Sequence, residues 1–309
     1  MMNKKRKSFK SYHWNDRIFT LVLYAILLAF FLITLYPIVY VLSASFSDPT
    51  AVGSGEMILW PIRPSLKAYE YILQYKEIWT GYANTIFYTV VGTAINLAVT
   101  IPCAYMLSRR DVVGRGFIMV LFMITMYISG GLIPSYLNLN ELGLLNTRWS
   151  LLLPGAVSTY NLIVARTFFS NSIPWELHEA AFLDGASDWE LFTKVILPLS
   201  SPIIVVLVLY YGVGHWNAYF NALIYIQERD LYPLQVFLRE ILTKGQFAAA
   251  AMQEGGLSIN EMNELARQAE SANMIKYAVI VVSTVPMLVI YPFLQKYFAK
   301  GVMLGSVKG

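Results

Sequence analysis

The residues of this sequence whose types could take part in catalysis or binding lie close together between positions 171 and 200. This segment reads NSIPWELHEAAFLDGASDWELFTKVILPLS and carries five carboxylates against one lysine, so its net charge is −4 with His178 neutral. His178-Glu179 lacks the second histidine of an H-E-x-x-H zinc site, and no G-x-x-x-x-G-K-[ST] phosphate-binding loop occurs in the chain. An acidic segment of this kind is unsuited to an anionic lipid surface and indicates docking onto another protein.

Local signals predict a short helix in the first half of this segment. Pro174 is tolerated only in the first turn of a helix, so the helix begins near residues 172–174. Glu176 and Glu179 then lie in the first turns, where the helix dipole favours negative charge. Gly185 is placed to adopt the left-handed conformation that ends a helix.

A second short helix is predicted in the second half. Ser187 with Glu190 forms a capping-box pattern that opens a helix, and Pro198 closes it. Neither helix is long enough to span a membrane. Ala180 and Ala181 have small side chains, so a partner surface can approach the backbone of the first helix closely on their face.

The rest of the chain is strongly apolar, with 57% hydrophobic and 14% charged residues. A helix needs about 20 apolar residues to cross the hydrocarbon core of a bilayer. Backbone polar groups inside a membrane must be satisfied internally, which favours helices for runs of this length. We therefore predict an all-α membrane protein of one domain with six spans, 18–46, 82–108, 116–137, 150–170, 202–226 and 275–297.

Lysine and arginine predict the orientation of these spans. If the N-terminus is cytoplasmic, that side holds 13 of the 23 basic residues. This arrangement predicts that the basic tail 1–17, the hairpin 171–200 and both termini are cytoplasmic. The first apolar run exceeds the length of a cleavable signal core, so we expect an uncleaved span. Cys103 is the only cysteine, which excludes a disulfide within the chain.

The segment 227–274 is then the longest extracytoplasmic loop. Ser258 with Glu261 forms a capping-box pattern that predicts a polar surface helix through about Ser271. The loop either helps to dock a soluble binding protein or is a solvated insertion. Gly130 and Gly131 predict that the chain leaves the helix at the outer end of the third span.

The spacing of the acidic segment resembles the EAA loop of permease subunits in ABC importers. The matching residues are Glu179-Ala180-Ala181, Gly185 and Leu197-Pro198. The sequence departs from the family pattern only at Val195, where the family has isoleucine. In that family the loop is a coupling helix that docks into a cleft on a cytoplasmic ATPase subunit. The alternative is an interfacial hairpin with no such partner.

Four further segments, 126–147, 215–222, 231–242 and 301–309, resemble the MalG-like sugar permeases. More narrowly they are similar to the LplC/YtcP branch, which is associated with uptake of complex-polysaccharide fragments. The resemblance implies a type I ABC importer permease in the bacterial cytoplasmic membrane that moves oligosaccharides inward. It also implies coupling residues: Glu176, Glu179, Ala180, Ala181, Asp184, Gly185, Leu197 and Pro198 in the hairpin, and Gly305, Lys308 and Gly309 in the tail.

The resemblance further implies the partners of the chain. They are a second permease subunit that forms a heterodimer with it, two cytoplasmic ATPase subunits and an extracytoplasmic solute-binding protein. ATP and Mg would be bound by the ATPase subunits, and no cofactor by this chain. With three histidines far apart in sequence, we expect no metal site.

A sugar route needs hydrogen-bonding groups and flat aromatic faces in an apolar bundle. The fifth predicted span offers one such cluster: His215, Trp216, Asn217, Tyr219, Phe220 and Asn221. At 100° per residue, Asn217 and Asn221 share a helix face. Asn161 is a weaker candidate. The same residues could instead anchor the helix at the membrane interface or join it to its neighbours.

Two other function classes remain as alternatives. A self-sufficient secondary transporter or channel predicts charged residues at mid-span or inverted repeats, and the spans show neither clearly. A membrane-embedded enzyme predicts paired Asp, His or Glu within the spans, and none is present.

Overall fold

The computed structural model describes residues 14–254 and 258–305, and within these ranges every regular element is helical. The helices are α1 (Trp14–Ser45), α2 (Pro49–Gly53), α3 (Lys67–Gln74), α4 (Lys76–Ser108), α5 (Arg115–Tyr127), α6 (Leu132–Glu141), α7 (Trp149–Leu152), α8 (Thr159–Ser172), α9 (Glu176–Leu183), α10 (Asp188–Leu191), α11 (Leu197–Leu199), α12 (Ser201–Asn217), α13 (Phe220–Tyr225), α14 (Leu234–Glu254) and α15 (Ile259–Gly305). A π-helical turn, Phe192–Ile196, joins α10 to α11, and a 3₁₀ turn, Arg229–Leu231, precedes α14.

Two of these helices are long and apolar enough to cross a membrane, namely Asp16–Ser45 within α1 and the whole of α4. The predicted spans 18–46 and 82–108 lie on them. Two bent pairs pass the same test as broken spans: α5 with α6, bent by 115°, and Asp188–Leu199 with α12, bent by 76°. A shorter apolar stretch, Ile275–Ile290, lies in α15.

α4 connects two hydrophobic cores at its opposite ends. It has 33 residues, which corresponds to a length of about 50 Å. At its C-terminal end Leu107 packs in a core with Phe169 of α8 and Leu207 of α12. At its N-terminal end Ile78 packs in a core with Leu234 of α14 and other residues of α3, α14 and α15. The two hydrophobic cores at the ends of α4 are therefore far apart.

The predicted third span, 116–137, is not one helix. α5 ends at Tyr127, and the chain turns through Ser129 and two glycines before α6 begins at Leu132. Gly131 has a φ of +87°, a conformation that other residues rarely adopt. The predicted break is confirmed, but the helix resumes at a bend of 115°.

The predicted fourth span, 150–170, is also corrected. α7 ends at Leu152 and α8 begins at Thr159, because Pro154 and Gly155 interrupt the helix between them. The amide of Asn96 in α4 donates to the carbonyl oxygens of Gly155 at 2.6 Å and Ala156 at 2.9 Å. These bonds satisfy backbone groups that the broken helix leaves free.

The predicted fifth span, 202–226, ends early. α12 stops at Asn217, whose side chain donates to the carbonyl of Val213, one turn earlier, at 2.9 Å. Ala218 is extended, and α13 begins only at Phe220.

The predicted boundary between loop and sixth span is wrong. Ser258 and Glu261 form the predicted capping box, with the Ser258 hydroxyl 2.7 Å from the Glu261 carboxylate. However, the helix that they open does not end near Ser271. It continues as α15 for 47 residues through the predicted span 275–297. Residues 259–285 contain neither glycine nor proline, and Pro286 and Pro292 lie within the helix without ending it.

Candidate functional site

The acidic hairpin, residues 171–200, contains the last two residues of α8 and then α9, which begins at Glu176 and not near residues 172–174 as predicted. After α9 the backbone N–H of Ala186 donates to the carbonyl of Ala181 at 2.9 Å, and that of Gly185 to Phe182 at 3.1 Å. Gly185 has a φ of +76°. The predicted left-handed helix end at Gly185 is confirmed, and it is the turn between the two arms of the hairpin.

The second arm begins with the predicted capping box. The backbone N–H of Glu190 donates to the Ser187 hydroxyl, and the backbone N–H of Ser187 donates to the Glu190 carboxylate at 3.2 Å. The arm then passes through the π-helical turn Phe192–Ile196 into α11. Pro198 lacks an N–H and its ring would crowd the carbonyl four residues earlier, so wider helical spacing before it relieves that conflict.

His178 fastens the first arm to the end of α4. Its side chain is 4% exposed, and its ring stacks on Trp175 with centroids 4.7 Å apart. The His178 ring is also nearly parallel to the Tyr105 ring of α4, with centroids 5.9 Å apart, and the Tyr105 hydroxyl is 3.0 Å from Nε2 of His178. Burial lowers the pKa of His178, and the charge of nearby Arg109 lowers it further.

Arg109, the residue directly after α4, holds the second arm. Its guanidinium pairs with Asp188 at the start of α10 and with Asp111, whose Oδ1 accepts from Nε at 2.9 Å. The guanidinium also lies 5.9 Å from the centre of the Phe182 ring. The hydrogen bond to Asp111 raises the pKa of Arg109, and the same bond lowers the pKa of Asp111. Both arms are therefore tied to one end of α4.

The opposite face of the hairpin is open to solvent. Its exposed predicted coupling residues are Glu176, Glu179, Ala180, Asp184, Gly185 and Pro198. Leu183 is 89% exposed and Trp189 is 70% exposed, so apolar side chains stand beside the carboxylates. A groove of about 310 Å³ runs between the two arms, with Ala181 and Lys194 in its walls. Exposed apolar and aromatic side chains such as these suit a protein partner, and the carboxylates beside them favour a partner with basic groups.

The other predicted coupling residues are either half-buried within the hairpin or lie in the C-terminal part of the chain. Ala181 and Leu197 are half-buried and pack on the core at the C-terminal end of α4. Gly305 is the last residue of α15. Lys308 and Gly309 lie outside the described residues.

The predicted sugar-route residues do not form one cluster. His215 Nε2 is 2.7 Å from the side-chain oxygen of Asn96, which joins α12 to α4. The indole N–H of Trp216 donates to the carbonyl of Ser283 at 2.9 Å, which joins α12 to α15. These two side chains connect helices, which is the alternative that the sequence left open.

The remaining members of that set differ in exposure. Asn217, Phe220 and Asn221 are exposed, and the Tyr219 ring lies 4.6 Å below the guanidinium of Arg239. The predicted shared helix face of Asn217 and Asn221 is wrong, because α12 ends at Asn217 and α13 begins only at Phe220, after the extended residue Ala218. Asn161 is buried in α8.

Sequence reasoning did not identify Tyr105 and Arg109 as parts of the hairpin site. Tyr105 is 73 positions from His178 and Arg109 is 79 positions from Asp188, and no local pattern links residues so far apart. The i, i+3 spacing of Trp175 and His178 could have revealed their stacking. Within 14–254 and 258–305, no three His, Cys, Asp or Glu residues are grouped so that they could hold a metal ion.

The sequence profile of the family described as "Binding-protein-dependent transport system inner membrane component" matches residues 78–304. The chain is 43% identical to the polygalacturonan/rhamnogalacturonan transport system permease protein YtcP of Bacillus subtilis, over 95% of this chain and 99% of that protein. It is 40% identical to the protein LplC of the same organism, over 90% of each chain.

A solved structure is also similar. It is described as a bacterial ABC transporter involved in the import of the acidic polysaccharide alginate. The fold agrees with a TM-score of 0.79 at 36% sequence identity, over 93% of this chain and 99% of that chain.

Proposed function

The chain belongs to the family of inner-membrane components of binding-protein-dependent transport systems, and from this we propose that it is a permease subunit of a bacterial ABC importer for oligosaccharides. It is a multi-pass protein of the bacterial cytoplasmic membrane. We further propose that its substrate is a fragment of a complex polysaccharide. The names of two relatives, one a polygalacturonan/rhamnogalacturonan permease and one an alginate importer, support this substrate class.

The proposed topology has six spans with both termini and the acidic hairpin in the cytoplasm. α1 and α4 supply two spans, the bent pair of α5 with α6 a third, α8 a fourth, α12 a fifth and the apolar part of α15 a sixth. The segment 227–274, which includes α14, then lies outside the cell. The excess of basic residues on the cytoplasmic side supports this orientation.

The observation that carries the coupling proposal is the two-sided hairpin. One side is bound to the end of α4 by His178 and Arg109, and the other side presents exposed carboxylates and apolar side chains. A partner that binds the exposed side and displaces the hairpin also displaces α4, because the two are bound to each other. Since the second arm also runs into α12, the same displacement reaches a second span.

In this proposal the partner is a pair of ATPase subunits that bind ATP and Mg. Their closure moves α9 as a rigid body, and the spans switch from facing the cytoplasm to facing outward. Such a switch requires the partner to bind the two states with different affinity. A second permease subunit completes the translocation route, and an extracytoplasmic solute-binding protein delivers the sugar. Asn217, Phe220 and Asn221 are the members of the predicted sugar route whose exposure leaves them free to contact that sugar.

Purification of the full chain from its native membrane tests this proposal. We expect an ABC ATPase to accompany it. Glu179→Lys reverses the charge of an exposed coupling residue, and we expect this variant to lose the ATPase. The control is Glu141→Lys, which makes the same change at an exposed position at the end of α6. The proposal fails if the wild-type chain brings no ATPase, or if Glu179→Lys retains it as Glu141→Lys does.

A further inference from the structure

A cavity of about 820 Å³ lies at the end of α4 opposite the acidic hairpin. Its walls come from α3, α14 and the first part of α15, and it reaches the start of α4. Its volume falls in the range of about 300–1,000 Å³ that is typical of small-ligand sites. The aromatic and polar residues of its lining are Tyr71, Tyr75, Lys244, Asn260, Asn263 and Glu264.

Two tyrosines form a fixed aromatic corner of this cavity. The Tyr75 hydroxyl donates to the Tyr71 hydroxyl at 2.6 Å, and the ring centroids are 5.1 Å apart at an angle of 61°. Aromatic rings of this kind offer a flat apolar face beside a hydroxyl group. A sugar ring matches that surface, because it has a face of C–H groups and a rim of hydroxyl groups.

Two asparagines in the first two turns of α15 supply the polar wall. Asn260 and Asn263 are three residues apart, so their side chains lie on the same side of the helix. Bonds between Ser258 and Glu261 fix the start of this helix. A side-chain amide both donates and accepts hydrogen bonds, as a sugar hydroxyl does.

The charges around the cavity do not favour a ligand carboxylate. Lys244 is bound to Glu240 at 2.8 Å, and Arg229 is bound to the same carboxylate at 3.1 Å. A ligand carboxylate would have to compete for these cations with Glu240. It would also face Glu264 in the wall.

We propose that this cavity binds a neutral, hydroxyl-rich saccharide unit. The inference rests on the proposed function only for a saccharide substrate. It assigns a site outside the spans, and it differs from the acidic polysaccharide of the similar solved structure in preferring uncharged sugar units. Because the cavity and the hairpin lie at opposite ends of α4, the saccharide binds on the side of the membrane away from the coupling surface.

Equilibrium binding on the full chain, purified with its associated subunits, tests the assignment. The probes are a neutral galacto-oligosaccharide and an oligogalacturonide of the same length. We expect the neutral probe to bind with saturation, and Tyr75→Ala and Asn263→Ala each to weaken that binding by about tenfold, the effect of losing one aromatic or hydrogen-bonding contact. Gln246→Ala, which removes an exposed amide on α14 outside the lining, should leave it unchanged.

Three results would overturn the assignment: no saturable binding of the neutral probe, binding that Tyr75→Ala and Asn263→Ala leave intact, or tighter binding of the oligogalacturonide that those two variants weaken. ATP-dependent uptake by the same preparations separates this failure from that of the proposed function. Uptake without binding at the cavity refutes only the cavity. Loss of the ATPase and of uptake refutes the proposed function, whereas the binding result is still decisive for the site.

Discussion

Tyr105→Phe removes a single oxygen atom from the joint between α4 and the acidic hairpin. Tyr105 is 6% exposed, and its hydroxyl lies 3.0 Å from Nε2 of His178, which is itself buried. The substitution keeps the ring that packs against Phe169 and His178. It therefore tests the hydrogen bond and leaves the packing of the joint in place.

The expected magnitude follows from burial. Loss of a net hydrogen bond costs about 1 kcal/mol, and a buried partner left unsatisfied raises this to about 1–3 kcal/mol. We expect the free energy of local opening of α9 to fall by about 1–2 kcal/mol, which corresponds to an acceleration of amide exchange by a factor of about 5–30. Tyr105→Ala would cost more, about 3–5 kcal/mol, because it also removes the buried ring.

Hydrogen exchange of the purified chain, followed over α9 and α12, measures this effect. The control is Tyr160→Phe, which removes the same atom from a residue that is 57% exposed. We expect faster exchange in α9 alone and no change in the control. Unchanged exchange in α9 would refute the reasoning, and equal acceleration in α9 and α12 would show that the bond stabilises the whole bundle.

Gly92→Ala places a Cβ atom 2.5 Å from the ring of His215. We expect it to lower the free energy of unfolding by about 1–3 kcal/mol, measured by thermal unfolding. The control is Gly214→Ala, whose added Cβ would have no atom within 4 Å. Gly185→Ala forces alanine to a φ of +76°, which costs about 1–2 kcal/mol and should speed amide exchange in the hairpin, with Gly185→Asn less affected. Because burial lowers the pKa of His178 from 6.5, the unfolded chain takes up a proton first as the pH falls through that value. The midpoint temperature of thermal unfolding should therefore be lower at about pH 5.5 than at about pH 7.5. The difference between the two pH values should be smaller in His178→Gln.

Each of these expectations has a contrary outcome. Equal stability of Gly92→Ala and Gly214→Ala would mean that α4 and α12 separate easily. Wild-type exchange in Gly185→Ala would mean that the turn has no strain to release. An identical pH dependence in His178→Gln and the wild-type chain would assign the titration to other groups.

The local features of the hairpin were predictable from sequence. The left-handed turn at Gly185 and the capping box of Ser187 with Glu190 depend on residues within three positions of each other, and both are present. The contacts that hold the hairpin to α4 were not predictable. Tyr105 meets His178 only because the whole bundle folds, and a single sequence carries no signal for such a pair.

The spans show where hydropathy misleads. An apolar run such as 150–170 reads as one helix, but Pro154 and Gly155 interrupt it, and Asn96 on a different helix satisfies the freed carbonyls. Conversely, the polar stretch after Ser258 reads as a separate surface helix. It joins the apolar stretch after Ile275 in one helix, because a change in polarity alone does not end a helix; Pro286 and Pro292 also lie within this helix without ending it.

The most direct test of the account is the side of the membrane on which Leu183 lies. Leu183→Cys, in a chain whose single native cysteine is removed by Cys103→Ala, puts a thiol at an 89% exposed position of the hairpin. Lys76→Cys puts a second thiol at the opposite end of α4. With a membrane-impermeant maleimide, we predict that intact cells are labelled at position 76, and that position 183 is labelled only after the cells are opened with detergent. Labelling at position 183 in intact cells would contradict a hairpin that couples the spans to a cytoplasmic ATPase.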